Sequence, residues 1–403
     1  MVERMLWLLM LVLVGAEGAT LNQTVRAPSL QPAIERGLIK LSLGLQKASA
    51  ASTARGENVI FAPLSIAAVN ALLLAAATGV TKKELETLFG VDGVPHNQDD
   101  LHRLLSDFIF SVETDKQLEQ NLMSANGLFP DYHNEISPEY IAFAKNFYQS
   151  EVIPLDYRRM PYESTEFINR WVSNRTEGKI PQILDDVVEP LTSLIIANAF
   201  YFKGSWEQPF IEKYTKMQNF TINKNEVIKV PMMVGILEVP FYQRKGSHKV
   251  IGLPYKGGDL IMYFVLPDKN LTAFVENLTL DSVKELMNHT TRQKVITAIP
   301  KMRVEASVEL SKALFSLGLR SLFSGWTANL DSLGKGSFVS EVVHKVAVEL
   351  TEYGTEAAAS TSVIIHRDGS MPLFRADRPF FFFISHQKTN AILFWGTVFR
   401  PVV

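Results

Sequence analysis

Few residues in this 403-residue chain have types and spacing that could support chemistry. His344 stands in an apolar strand pattern, Val342-Val-His-Lys-Val346, where an imidazole must find polar partners if it is buried. The remaining histidines are scattered and read as surface or structurally hydrogen-bonded side chains. There are no cysteines, which excludes a disulfide framework, a thiolate nucleophile and a thiolate metal site. The chain also lacks a Gly-x-Ser-x-Gly elbow, a His-Glu-x-x-His zinc pair, a Gly-x-x-x-x-Gly-Lys phosphate loop and a Gly-x-Gly-x-x-Gly fingerprint. No enzyme, metal or cofactor is expected.

The segment Gly354 to Ile365 has a composition that is odd for a loop, with small residues at one end and β-branched ones at the other. Taken at period 2, Thr355, Ala357, Ala359, Thr361, Val363 and Ile365 share one face, suited to a core. Glu356, Ala358, Ser360, Ser362 and Ile364 share the other. The polar run His366-Arg-Asp-Gly-Ser-Met-Pro372 follows and reads as an exposed loop. The segment looks like a strand held outside its sheet.

With Glu352 before it and Phe374-Arg-Ala-Asp-Arg-Pro-Phe380 after it, this segment resembles the hinge and reactive-centre loop of the serpins, the suicide inhibitors of proteases. Asn58-Val-Ile-Phe-Ala-Pro-Leu-Ser-Ile66, Asn198-Ala-Phe-Tyr-Phe-Lys-Gly-Ser-Trp206, Val230-Pro-Met-Met233 and Ala391-Ile-Leu-Phe-Trp-Gly396 resemble further serpin signatures in the expected order. The resemblance implies an α+β fold, one large domain over residues 19–403, with helices around three β-sheets and an exposed reactive-centre loop at about 352–375. It implies a hinge at Glu352, Gly354, Thr355, Glu356, Ala357, Ala358, Ala359, Ser360 and Thr361. It assigns His344, Asn198 and Ser65 to a polar shutter beneath the central sheet, and Trp206 to the breach at its top. Ala62 replaces the usual serine there, so one polar partner is missing and a slightly altered barrier to sheet opening is expected. The partner implied is an extracellular serine protease held in a covalent complex by a monomeric inhibitor. The commonest register places the scissile residue at Asp368, with Gly369 following, whereas a trypsin-like protease would choose Arg367, whose guanidinium suits an Asp-bottomed pocket. The alternative within the family is a non-inhibitory carrier or binding protein, although such members tend to lose the alanine run that is kept here.

Met1-Val-Glu-Arg4, the uncharged run Met5 to Val14 and the small residues Ala16 and Gly18 have the layout of a secretory signal peptide over residues 1–18. Asn-x-Thr triplets at Asn22, Asn174, Asn219, Asn270, Asn277 and Asn288 exceed the roughly two expected by chance, which favours a glycosylated, secreted product. Asn174, inside a helical pattern, is the least suited of these. A net charge of −2 gives no reason to expect nucleic acid or an anionic membrane as partner. Many serpins bind glycosaminoglycans through a basic helix, but the matching region here, Asn97 to Thr114, sets His102 and Arg103 against Asp99, Asp100, Asp107 and Glu113, so heparin binding by that route is not expected.

The elements that must position these residues follow from periodicity. Leu30 to Ala48 and Pro63 to Ala77 read as helices, Thr81 with Glu84 as a capping box, and Ser137-Pro138 as a helix start. Gln120 to Leu128, Thr192 to Phe202, Lys229 to Met233, Lys249 to Leu253, Leu260 to Leu266, Val295 to Pro300 and Val343 to Leu350 read as strands. Phe380 to Ile384 and Ala391 to Phe399 read as a buried hairpin, too short for membrane spans.

Overall fold

The computed structural model describes residues 30–52, 56–113, 120–352 and 371–402. In it the helices are α1 Leu30–Ser52, α2 Pro63–Ala76, α3 Gly79–Leu88, α4 Gln98–Glu113, α5 Pro138–Tyr148, α6 Pro161–Arg175, α7 Leu271–Glu276, α8 Leu280–Asn288 and α9 Ser311–Ser316. The strands are β1 Val59–Phe61, β2 Gln120–Pro130, β3 Glu151–Val152, β4 Leu194–Gly204, β5 Lys216–Asn223, β6 Glu226–Arg244 and β7 His248–Pro254, then β8 Leu260–Pro267, β9 Thr291–Pro300, β10 Met302–Glu309, β11 Glu341–Leu350, β12 Leu373–Arg375, β13 Phe380–His386 and β14 Ile392–Val398. The signal-peptide stretch and Asn22 lie outside the described residues.

Pro63 opens α2, a helix apolar on all sides and buried along nearly its whole length, as such a sequence requires. Ser137 caps α5, its Oγ accepting the Tyr140 N–H at 3.3 Å. The capping box expected at Thr81 and Glu84 does not form. Thr78 is the N-cap of α3, and Thr81 lies within the helix. Its Oγ1 meets Ser321 Oγ at 2.9 Å, and Glu84 Oε2 accepts the Ser321 N–H at 2.9 Å and its hydroxyl at 2.7 Å. The local motif lost to partners far along the chain, because those donors are otherwise buried and unsatisfied.

Five strands form one sheet in the order β10-β11-β4-β2-β3. β4 pairs with β11 in parallel, from Ile195 opposite Glu341 to Phe202 opposite Val348, while β10 and β2 flank the pair antiparallel. β4 is buried on both faces, which explains its unbroken apolar reading. One face lies on the main core, with Ile196, Phe200 and Val346. The other carries Ala197, Ala199 and Ala347 toward Ile168 and Val172 of α6. The remaining strands make a nine-stranded sheet in the order β1-β14-β13-β8-β7-β6-β9-β12, with β5 on β6. The expected C-terminal hairpin is present as β13 and β14. Three sheets were expected, and by backbone hydrogen bonding there are two among the described residues. The 19-residue β6 runs along β5, β9 and β7 in turn and so joins the other two into one.

Candidate functional site

His344 and Asn198 face each other across the parallel seam, in register. His344 is fully buried. Its Nδ1–H donates to Asn198 Oδ1 at 2.5 Å and its Nε2 accepts the Ala62 N–H at 3.0 Å, which fixes the tautomer. Burial pulls its pKa down to about 3, against a smaller opposing effect of the bond with Asn198, so the ring is neutral. The Asn198 amide donates to Ser65 Oγ at 2.7 Å and to Asn126 Oδ1. Ala62 brings no side-chain polar group to this network. The backbone N–H of Ala62 serves the imidazole, and Asn126, directly opposite Asn198 on β2, completes the amide network. Sequence reasoning missed Asn126. The signal was available, since an asparagine in the apolar strand Ala125-Asn-Gly-Leu128 raises the same question as a histidine in β11.

The end of the seam is held by a second group. Trp206 stacks on Tyr255, with centroids 4.4 Å apart, and its Nε1–H donates to the Thr351 carbonyl at 2.8 Å. Gly204 makes room for this, because a Cβ there would lie 2.5 Å from the Tyr255 ring. Glu352 is only 2% exposed. Its carboxylate accepts from Lys301 Nζ at 2.8 Å and Thr215 Oγ1 at 2.8 Å, and its carbonyl accepts the Phe210 N–H at 2.9 Å. Burial pushes its pKa up, but the bonds from Lys301, the backbone and Thr215 outweigh this and hold it below the usual carboxylate range. Lys203 of β4 pairs with Glu349 of β11 at 3.3 Å, an ion pair across the seam.

Ser65, Asn198 and His344 therefore meet beneath the seam, while Trp206, bonded to Thr351, and Glu352, bonded to Phe210, Thr215 and Lys301, hold its end. The hinge residues Gly354, Thr355, Glu356, Ala357, Ala358, Ala359, Ser360 and Thr361, and the bond candidates Arg367, Asp368 and Gly369, lie outside the described residues. The described chain stops at Glu352, just past β11, and resumes at Met371, just before β12, which belongs to the other sheet.

Of the glycosylation candidates, Asn174, Asn219, Asn270, Asn277 and Asn288 are exposed. Asn174 remains the least suited, since the hydroxyl of Thr176 in its triplet is buried and donates to the Val172 carbonyl at 2.9 Å. On α4, His102 is buried against the Tyr148 hydroxyl at 2.8 Å and burial pulls its pKa to about 4, while Arg103 pairs with Asp100 at 3.7 Å. That helix presents little free positive charge.

Comparison with known proteins places this geometry. The family model described as serpin (serine protease inhibitor) matches residues 37–401. Leukocyte elastase inhibitor A of Mus musculus is 33% identical over 362 residues, covering 85% of this chain and 93% of that protein. Serpin B8 of Homo sapiens is 35% identical over 357 residues, covering 86% and 93%. Among solved structures, uncleaved ovalbumin superposes with a TM-score of 0.85 at 26% identity, covering 92% of this chain and all of that one. Human thyroxine-binding globulin gives 0.84 at 25% identity, covering 93% of this chain and all of that one. With its fold, its signature segments and nearly its whole length matched, the chain belongs to the serpin (serine protease inhibitor) family.

Proposed function

We propose that this serpin is a secreted, single-use inhibitor of a trypsin-like serine protease. The observation that carries the reading is the parallel pairing of β4 with β11, just before the segment 353–370. A strand that turns back after Glu352 runs antiparallel to β11. Because β4 is parallel to β11, it runs antiparallel to β4 as well. Insertion then replaces one parallel ladder by two antiparallel ones, which are slightly more stable per residue. About a dozen residues gaining sheet bonds at a net of roughly 1 kcal/mol each, with Val363 and Ile365 buried, would release on the order of 10 kcal/mol. The uncut protein is then a kinetic trap.

The protease serine attacks the Arg367 carbonyl, the bond to Asp368 breaks, and the new amine leaves with a proton while the ester forms. Gly354 absorbs the turn, and Ala357 to Ala359 slide between the parted strands without steric cost. Dragging the protease displaces its catalytic groups, and a misplacement of about 1 Å costs roughly 100-fold in rate, so the ester outlives the enzyme. The signal-peptide pattern and the exposed Asn-x-Thr sites support secretion.

The test is incubation with trypsin-, chymotrypsin-, elastase- and acid-specific proteases, followed by denaturing electrophoresis and mass analysis of the released C-terminal peptide. A stable complex with a trypsin-like enzyme and a peptide starting at Asp368 is expected. A peptide starting at Gly369 moves the bond to Asp368 and the target to an acid-specific protease. No complex with any of them overturns the inhibitor reading in favour of a carrier.

A further inference from the structure

Far from the seam, α7 and α8 form an open cleft of about 840 Å³ with the turn between β6 and β7. Its wall is aromatic. Tyr242 and His289 stack with centroids 5.3 Å apart and 26° between their planes, and the rings of His248 and Phe274 are 5.3 Å apart. His248 is only 8% exposed, and its Nδ1 bonds to Ser247 Oγ at 2.8 Å, while its Nε2 has no protein partner among the described residues. The charged groups are of both signs, Arg244 and Lys269 against Glu285. Apolar faces with a few polar groups between them mark a binding site, and mixed charge favours a neutral occupant. A pyranose sugar fits this description, since it has a flat C–H face for an aromatic wall and hydroxyls for the polar groups.

The chain can place such a group at the rim itself. Asn270 and Asn277, both in Asn-x-Thr triplets, line the cleft. Asn277 Nδ2 donates to the carbonyl of Ala273, another lining residue, at 2.7 Å. Thr279, which completes its triplet, is exposed, unlike the buried Thr176 after Asn174. Asn270 is held the other way round, its Oδ1 accepting the Ala273 N–H at 3.0 Å, so its Nδ2 is directed away from that helix turn. We infer that Asn277 carries an N-linked glycan whose first N-acetylglucosamine lies in this cleft, its C–H face against Tyr242 and His289. In the attachment the bond from Nδ2 to the sugar C1 forms as C1 leaves a lipid-linked diphosphate, and the amide gives up one hydrogen as a proton. The second hydrogen keeps the bond to Ala273. Because the sugar is tethered at the rim, weak stacking is enough to hold it there. The inference rests on the reading of the protein as secreted, and adds that one glycan is a built part of the fold, tying α7 and α8 to the β6–β7 turn.

The experiment uses the full chain secreted from a eukaryotic culture and treated with a peptide N-glycanase, with release at each triplet followed by mass. Each site is read in the folded protein against its own rate in the unfolded one. Folding is expected to slow release at Asn277 about tenfold more than at other occupied sites such as Asn219, because the enzyme reaches the bond only while the sugar is out of the cleft. Tyr242→Ala should abolish this difference, and His289→Ala, a change at an exposed residue that keeps the fold, should narrow it. Equal slowing at Asn277 and the other sites overturns the seat, whether or not Tyr242→Ala folds. So does a difference that His289→Ala leaves unchanged. A bare Asn277 beside glycans elsewhere overturns it too, and leaves secretion standing. No glycan at any triplet overturns the secreted reading, and this inference with it.

Discussion

Asn198→Ala tests whether the polar network beneath the seam is a gate or only packing. In the closed sheet the substitution removes the acceptor of the fully buried His344 Nδ1–H and the donor shared by Ser65 and Asn126. An unsatisfied buried donor costs roughly 1–3 kcal/mol, and we take about 2 kcal/mol for the imidazole N–H. When the strands part, the ring can find another partner, so this penalty falls on the closed form and leaves the opening barrier lower by about the same amount. At 1.36 kcal/mol per tenfold in rate, spontaneous conversion to the inserted form should speed up about 30-fold. The melting temperature of the uncut protein should fall by only a few degrees. The assay holds the protein below its melting temperature and follows, over time, the loss of protease complex formation and the growth of a more heat-stable fraction. Ser65→Ala, which leaves the bond between His344 and Asn198 intact, should show a smaller acceleration. A variant that melts lower yet converts at the parent rate would refute the gating role and leave the network as core structure.

Stability should fall on acidification between pH 7 and pH 5. His344 and His102 are held neutral with pKa values of about 3 and about 4, below the 6.5 of the unfolded chain, so the unfolded state binds more protons in this window and stability is full only above about pH 6.5. The slope approaches roughly 1.4 kcal/mol per pH unit for each histidine, and denaturant titrations of His344→Gln should show it reduced by one proton; an unchanged slope would count against the buried neutral ring. Lys301→Ala leaves the Glu352 carboxylate buried beside Thr215 alone and should destabilise by about 2 kcal/mol, while adding Glu352→Gln should restore most of the lost melting temperature. A double variant no better than the single one would mean that the ion pair is not what Lys301 contributes. Thr355→Arg places a charge on the face that period-2 alternation predicts to turn inward, and under the proposed mechanism it should convert the inhibitor into a substrate, cut at the same bond; an unchanged yield of covalent complex contradicts the hinge assignment.

Local pattern made much of this protein readable. The apolar helix after Pro63, the β13–β14 hairpin and the Ser137 cap follow from residues close together in the chain, where periodicity and capping chemistry act. His344 could be singled out because an imidazole in an apolar strand is costly unless bonded. Errors arose where distant partners decided. Thr81 and Glu84 have the spacing of a cap, yet Ser321 claims both side chains. Asn126 matters only because the register of β2 on β4 sets it opposite Asn198.

The sequence by itself determined the α+β pattern, the absence of those catalytic motifs and the period-2 alternation of small and β-branched residues over Gly354 to Ile365. Only the tertiary structure decided that β4 and β11 run parallel, that Glu352 closes the end of their seam, and that Tyr242, Phe274 and His289 gather into one cleft. Those features join residues far apart in the chain. Which of them meet is set by closing long loops and burying both faces of a central sheet, and no local periodicity encodes that choice.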